Sequence, residues 1–231
     1  MKTRMLALVL LFGCALTGRA DWQQEYAAVL KKYVGADGVR YGAWKKNTGD
    51  MEAIQRVTDG IAASKQTDLA FYLNAYNAWI LHEALAKYPT KSVKDPLFTF
   101  FLKDRIVVGG RKMSFNALEK EVIRGGFKEP RVHFALNCAS QSCPPLNSEP
   151  FRGSDLEAVL DKLATEFVNS ERGMRMDGEG VALSKIFDWY KEDFGGSNGV
   201  IRFINQRRKQ PLATKVKITF QEYNWNLNET K

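Results

Sequence analysis

The chain has 231 residues, of which 45% are hydrophobic and 26% charged, with a formal net charge of +8. That length supports one domain with its own core, and the bases are scattered, as in Lys31-Lys32, Lys45-Lys46 and Arg207-Arg208-Lys209, which describes a solvated surface and argues against nucleic-acid binding. Neither a phosphate-binding Gly-x4-Gly-Lys loop nor a dinucleotide fingerprint is present, which argues against nucleotide chemistry.

In chain order, Lys2 and Arg4, the apolar run Met5 to Phe12 and the small residues of Gly18-Arg19-Ala20 read as a secretory signal over 1–20, cut before Asp21. The run is too short to span a bilayer, which needs roughly 20 apolar residues, and nothing later is apolar for long enough to be a span. Leu11-Phe12-Gly13-Cys14 reads alternatively as a lipoprotein box acylated through Cys14, although Phe12 is bulky for it. The expected organisation is a signal peptide followed by a single globular domain over 21–231, exported to the periplasm or the medium.

Asp21 to Val34 carries a helical apolar face, ended by Gly35-Ala36-Asp37-Gly38. Val39 to Trp44 has strand character, and Asp50 to Ala63 is a second helix. Thr67 or Asp68 caps a third helix running to about Lys87. It is apolar nearly all round, which predicts burial. Ile106 to Met113 reads as a hairpin turning at Gly109-Gly110, and Ser114 to Arg124 as a helix ended by Gly125-Gly126. Arg131 to Leu136 has strand length and composition, though a helical reading survives. Asp155 to Val168 is helical, Met174 to Leu183 a hairpin, Ile186–Tyr190 and Val200–Gln206 short helices, and Lys215 to Phe220 a strand. Without a βαβ rhythm, these elements predict an α+β fold: a helix-rich domain with short hairpins and a small antiparallel sheet.

The chemistry concentrates in Arg131 to Leu146, which holds one of the two histidines, His133, and both cysteines of the exported chain, Cys138 and Cys143. The thiolate is the reactive form of cysteine, and a neighbouring imidazole can generate it. On a strand, His133 and Cys138 would lie on opposite faces, about 16 Å apart. That favours Cys143 as the nucleophile, brought back by a loop of small residues and restrained by Pro144. Two cysteines this close in an exported chain also pair readily as a disulfide. A zinc site of His133, Cys138 and Cys143 lacks the usual spacing. Asn74 and Asn77, at i and i+3, share a helix face with Tyr76 nearby. Such amides either bind substrate or tie the helix to a neighbouring loop.

Several stretches give the chain a family likeness: Phe71-Tyr72-Leu73-Asn74-Ala75-Tyr76-Asn77-Ala78, Leu118-Glu119 with Arg124, His133-Phe134-Ala135-Leu136-Asn137-Cys138, and Ser142-Cys143-Pro144-Pro145-Leu146. Ser184 to Tyr190, Asp193-Phe194 and Tyr223 to Asn228 add to it. On these residues the chain resembles the proteins carrying "domain of unknown function 547". Lys120 stands where family members often have histidine. The family's activity is not established, so the resemblance implies no reaction. At the level of fold it suggests a remote, permuted relative of papain- and transglutaminase-like thiol enzymes, by analogy alone.

The expected function is a cysteine-dependent amide hydrolase or acyl transferase of the cell envelope. Cys143 attacks, His133 is the base, Glu119 orients His133, Cys138 supports or resolves, and Asn74, Tyr76 and Asn77 bind substrate. The alternative is a non-catalytic envelope module stapled by a Cys138–Cys143 disulfide. The expected partner is a peptide, amide or envelope substrate, with no cofactor, metal, nucleic acid or membrane span.

Overall fold

The computed structural model describes residues 21–230 except Asp95, Pro96, Glu179 and Thr214. The segment 1–20, read from the sequence as a secretory signal, and with it Cys14, lies outside the described residues. Asp21 accepts the Gln23 N–H and caps α1, Trp22–Tyr33. A two-residue ladder of β1, Val34–Gly35, and β2, Gly38–Val39, leads into α2, Tyr41–Lys45. The strand expected over Val39 to Trp44 is therefore mostly helix, because the polar turn leaves room for only a short hairpin before Tyr41 and Trp44 are buried. Asn47 caps α3, Thr48–Ala63, and Asp68 caps α4, Leu69–Lys87.

α4 is the central post. Side chains all round it are buried, from Phe71 and Leu73 to Ile80 and Leu81. It packs against α3 on one side and the chain around Leu118–Arg124 on another. Next come α5, Thr99–Leu102, and the antiparallel hairpin of β3, Ile106–Val108, and β4, Arg111–Met113. Ser114 caps the next helix. It begins as α6, Phe115–Ala117, widens into a π-helical stretch over Leu118–Arg124 and continues as α7, Gly125–Phe127. The glycines expected to stop it do not. The chain ends it at Lys128, in a left-handed conformation (φ 52°) just before Glu129-Pro130.

Pro130–Phe134 forms a 3-10 helix, so of the two readings of this stretch the helical one holds and the strand does not. Glu129 accepts the Arg131 N–H at its start, and Pro130 lacks the N–H that a strand ladder would use. After the cysteine loop come α8, Leu156–Val168, the antiparallel pair β5, Met174–Asp177, and β6, Gly180–Leu183, and then α9, Ile186–Trp189. A 3-10 turn, Lys191–Phe194, precedes α10, Gly196–Asn205. The last strand, β7, Ile218–Phe220, adds to β6 in parallel, so this sheet is mixed.

The fold is α+β, as expected, with two hydrophobic clusters. The larger surrounds α4, and the smaller joins α8, β6, α9 and α10. The 3-10 helix carrying His133 straddles them: Val132 and Ala135 pack into the first and Phe134 into the second. The C-terminal segment then crosses the molecule. Asn228 donates to Ala139, and Leu227 donates to Lys91. Among the described residues, no helix is long and apolar enough to cross a membrane.

Candidate functional site

Two asparagines on α4 fix the segment that carries the chemistry. Asn77 donates to the Ala135 carbonyl at 2.8 Å and accepts the Asn137 N–H at 2.9 Å. Asn74 does the same at Phe151, donating to its carbonyl and accepting its N–H, both at 2.8 Å. Each amide thus pairs like a strip of backbone with a chain that has no strand partner. This is the loop-tying role, and Asn74 and Asn77 do not line the central cavity, whereas Tyr76 does.

Asn137 closes the cysteine loop. Its amide donates to the Pro144 carbonyl at 2.8 Å, and its oxygen accepts the Ala139 N–H at 2.8 Å. Ala139, fully buried between these anchors, has φ of 59°, a left-handed conformation that costs a non-glycine residue energy and persists only where its surroundings impose it. The C-terminal segment clamps the far side: Gln141 and Ser142 donate to Asn226 and Asn224. The sulfurs of Cys138 and Cys143 end 2.8 Å apart, both as free thiols.

The two thiols are not equivalent. Cys138 is half-buried, and its sulfur lies 3.0 Å from Ser140 Oγ and 3.2 Å from the Tyr223 hydroxyl. Burial pushes this thiol up, but hydrogen bonds from Cys143, Ser140 and Tyr223 outweigh it and bring it down to about 7. Cys143 is buried and pushed well up, by desolvation and by the neighbouring Cys138 thiolate. The preference for Cys143 rested on a strand that is not there. The polar groups converge on Cys138.

His133 lies in the wall of the same cavity as both sulfurs and hydrogen-bonds to neither. Its Nε2 sits 2.7 Å from Asp193 Oδ2, and its ring stacks on Tyr190 with centroids 3.9 Å apart. Asp193 also holds Arg124 through two contacts, at 2.6 and 3.0 Å. The hydrogen bond from His133, then that from Arg124, keeps its carboxyl well below the usual carboxylate range. The carboxylate expected on His133 was Glu119. The π-helical stretch turns Glu119 into the cavity wall instead, towards Tyr190, and Asp193 takes the position on the ring.

The cavity has a volume of about 280 Å³. Its walls are mainly aromatic and aliphatic, including Tyr76, Phe101 and Leu136, with Trp189, Tyr223 and Trp225 in mutual ring contact along one side. The Tyr76 hydroxyl has no hydrogen-bond partner among the described residues, and burial holds it protonated, with its pKa well above the usual value. No group of three or more His, Cys, Asp or Glu side chains among the described residues is arranged to hold a metal ion.

Residues 61–168 match the model of a family described as "Protein of unknown function, DUF547". Over that stretch the chain is similar to the DUF547 family. No curated protein and no solved structure matches it. The DUF547 match is shorter than the resemblance read from the sequence. It contains Asn74, Tyr76, Asn77, Glu119, His133, Cys138 and Cys143, but ends before Tyr190, Tyr223 and Trp225, which complete the cavity, and before Asp193, which holds His133 from outside it. These later residues were visible only as shared motifs. Asp193 is 60 residues from His133, and Tyr223 is 85 from Cys138, so no spacing rule links them.

Proposed function

We propose that the protein is an exported, cysteine-dependent amide hydrolase or acyl transferase, with Cys138 as nucleophile, His133 as base and Asp193 orienting the base. One observation carries this reading. A thiol surrounded by hydrogen-bond donors and an imidazole fixed by a carboxylate share the wall of one apolar cavity. In the sequence of events, the Cys138 thiol passes its proton to His133 as the sulfur adds to the carbonyl carbon, and the tetrahedral oxyanion takes a hydrogen bond from the Tyr76 hydroxyl. His133 then protonates the leaving group and activates the water or amine that releases the acyl group. Asp193 holds the ring by Nε2, which leaves Nδ1 for proton transfer. The order His133, Cys138, Asp193 differs from that of papain-like enzymes, but such groups are defined by geometry and role. Export rests on the signal read at 1–20.

The test is the reduced protein with p-nitrophenyl acetate. A burst of nitrophenolate and an acetyl group on Cys138 are expected, and His133→Ala should slow the burst by about 10²–10⁴-fold, the usual contribution of a positioned base. A reduced, folded protein that takes up no acetyl group, or a burst indifferent to His133, overturns the reading. The 2.8 Å between the sulfurs favours a second reading, an inert Cys138–Cys143 staple in a binding module. That reading expects no titratable thiol in the exported protein.

A further inference from the structure

Acyl transfer uses one thiol, yet the cavity holds two in contact. We propose that Cys138 and Cys143 form a dithiol–disulfide exchange centre that reduces disulfides with uncharged, apolar flanks. This activity goes beyond acyl transfer and does not depend on it.

The loop is built to keep the sulfurs together. Asn137 pins its two ends, and the Cys143 N–H donates to the Ser140 carbonyl at 3.1 Å, a turn that folds the second cysteine back. The Cys138 N–H points at the Cys143 sulfur, 2.9 Å away, and stabilises negative charge there. The groups that would lower the free energy of a leaving thiolate sit on the other sulfur: Ser140 Oγ and the Tyr223 hydroxyl, both on Cys138. Cys138 is also the more accessible, whereas Cys143 is 5% exposed. Attack from outside therefore starts at Cys138, and resolution comes from Cys143, which is already in place.

The Cys138 thiolate attacks one sulfur of R–S–S–R′. The substrate S–S bond breaks, a mixed disulfide forms on Cys138, and R′–S⁻ takes a proton from the His133 imidazolium. Cys143 then gives its proton to His133 and attacks the Cys138 sulfur. R–S⁻ leaves and takes that proton. Two electrons and two protons pass to the substrate, which becomes two thiols, and the protein ends with a Cys138–Cys143 disulfide. In that form Cys138 is no longer available for acyl transfer.

The walls select the substrate. Trp189 is 47% exposed at the mouth, and Phe98 stands 5.8 Å from Trp225, centroid to centroid. Glu119 adds a carboxylate to the wall and Lys94 an ammonium over the Phe98 and Trp225 rings, so the selection rests on the ring faces, where an apolar aromatic disulfide finds partners that a polar one does not use.

The experiment mixes the pre-reduced full chain with 2,2′-dithiodipyridine, and separately with glutathione disulfide. Two thiopyridones per chain are expected, the second released at a rate independent of reagent concentration. The product should be an adduct-free chain with Cys138 joined to Cys143, which dithiothreitol reopens under native conditions. Glutathione disulfide should react at least tenfold more slowly, relative to its rate with a small free thiol. Cys143→Ser should stop at a pyridyl adduct on Cys138. Because the wild-type product is read by mass, a variant that fails to fold leaves the test intact. Two pyridyl adducts on the wild type, a first adduct on Cys143, equal rates for the two disulfides after that correction, or an internal bond that dithiothreitol cannot reopen would each overturn the proposal. The acetyl-transfer test above can fail without touching any of these outcomes.

Discussion

Asn77→Ala tests the central structural claim, that an amide on α4 positions the segment bearing His133 and Cys138. The side chain is 1% exposed and makes two hydrogen bonds to backbone groups of the His133–Cys138 segment. Truncation leaves the Ala135 carbonyl and the Asn137 N–H without these partners in a dry interior. Each orphaned group costs about 1–3 kcal/mol, so the pair predicts a loss of roughly 2–6 kcal/mol. That is a large share of the ~5–15 kcal/mol that holds a typical domain together. Urea unfolding should show the midpoint falling with an unchanged slope. Asn77→Asp gives an independent signature. The carboxylate still accepts from Asn137 but faces the Ala135 carbonyl, so burial and this contact raise its folded pKa above the ordinary ~3.9 of an aspartate. A group whose folded pKa is raised costs stability as pH rises through that value. The deficit against wild type should therefore be large at neutral pH and shrink on acidification towards the unfolded pKa. A loss below about 1 kcal/mol in Asn77→Ala, together with a pH-independent deficit in Asn77→Asp, would refute the reasoning.

Three further outcomes follow from the same contacts. Cys138, brought down to about 7 by its neighbours, should be alkylated by iodoacetamide with a half-maximal rate near that pH, and Tyr223→Phe should move the midpoint upward; a midpoint unchanged by the substitution argues against the hydroxyl. Asp193 has a folded pKa below its unfolded value, so its contribution to stability is present above about pH 4 and lost as pH falls through the folded value; Asp193→Asn should flatten that acid limb in a thermal melt series, with a modest effect because the side chain is 27% exposed. Gly38 has φ of 146°, and a Cβ there would meet the Asn228 carbonyl oxygen at 2.3 Å, so Gly38→Ala should cost on the order of 1–3 kcal/mol and loosen the C-terminal clamp, read as faster hydrogen exchange at the Gln141 and Ser142 amides.

Some of this was readable along the chain because its causes are local. The cap at Asp68, the helix starts at Asp21 and Ser114, the all-round apolar pattern of α4 and the Gly109-Gly110 turn depend on neighbours within a few residues, and they gave the α+β class and a buried α4 bearing Asn74 and Asn77. Sequence also put His133, Cys138 and Cys143 in one short segment, since the loop joining the thiols is itself local. It left that segment between strand and helix, because an apolar run of strand length does not show which partner will satisfy its backbone. The answer was Asn77, 58 residues from Ala135. The same limit governs the charges. Glu119 looked like the carboxylate for His133 from its place in the chain, but a helix turn decides which way a side chain faces, and Leu118–Arg124 is π-helical. Only the packing of the second hydrophobic cluster against the first brings Asp193 to the histidine, and only the crossing of the C-terminal segment brings Tyr223 to Cys138. Which sulfur carries the charge depends on those long-range hydrogen bonds, because desolvation alone raises both thiols and only neighbouring donors separate them.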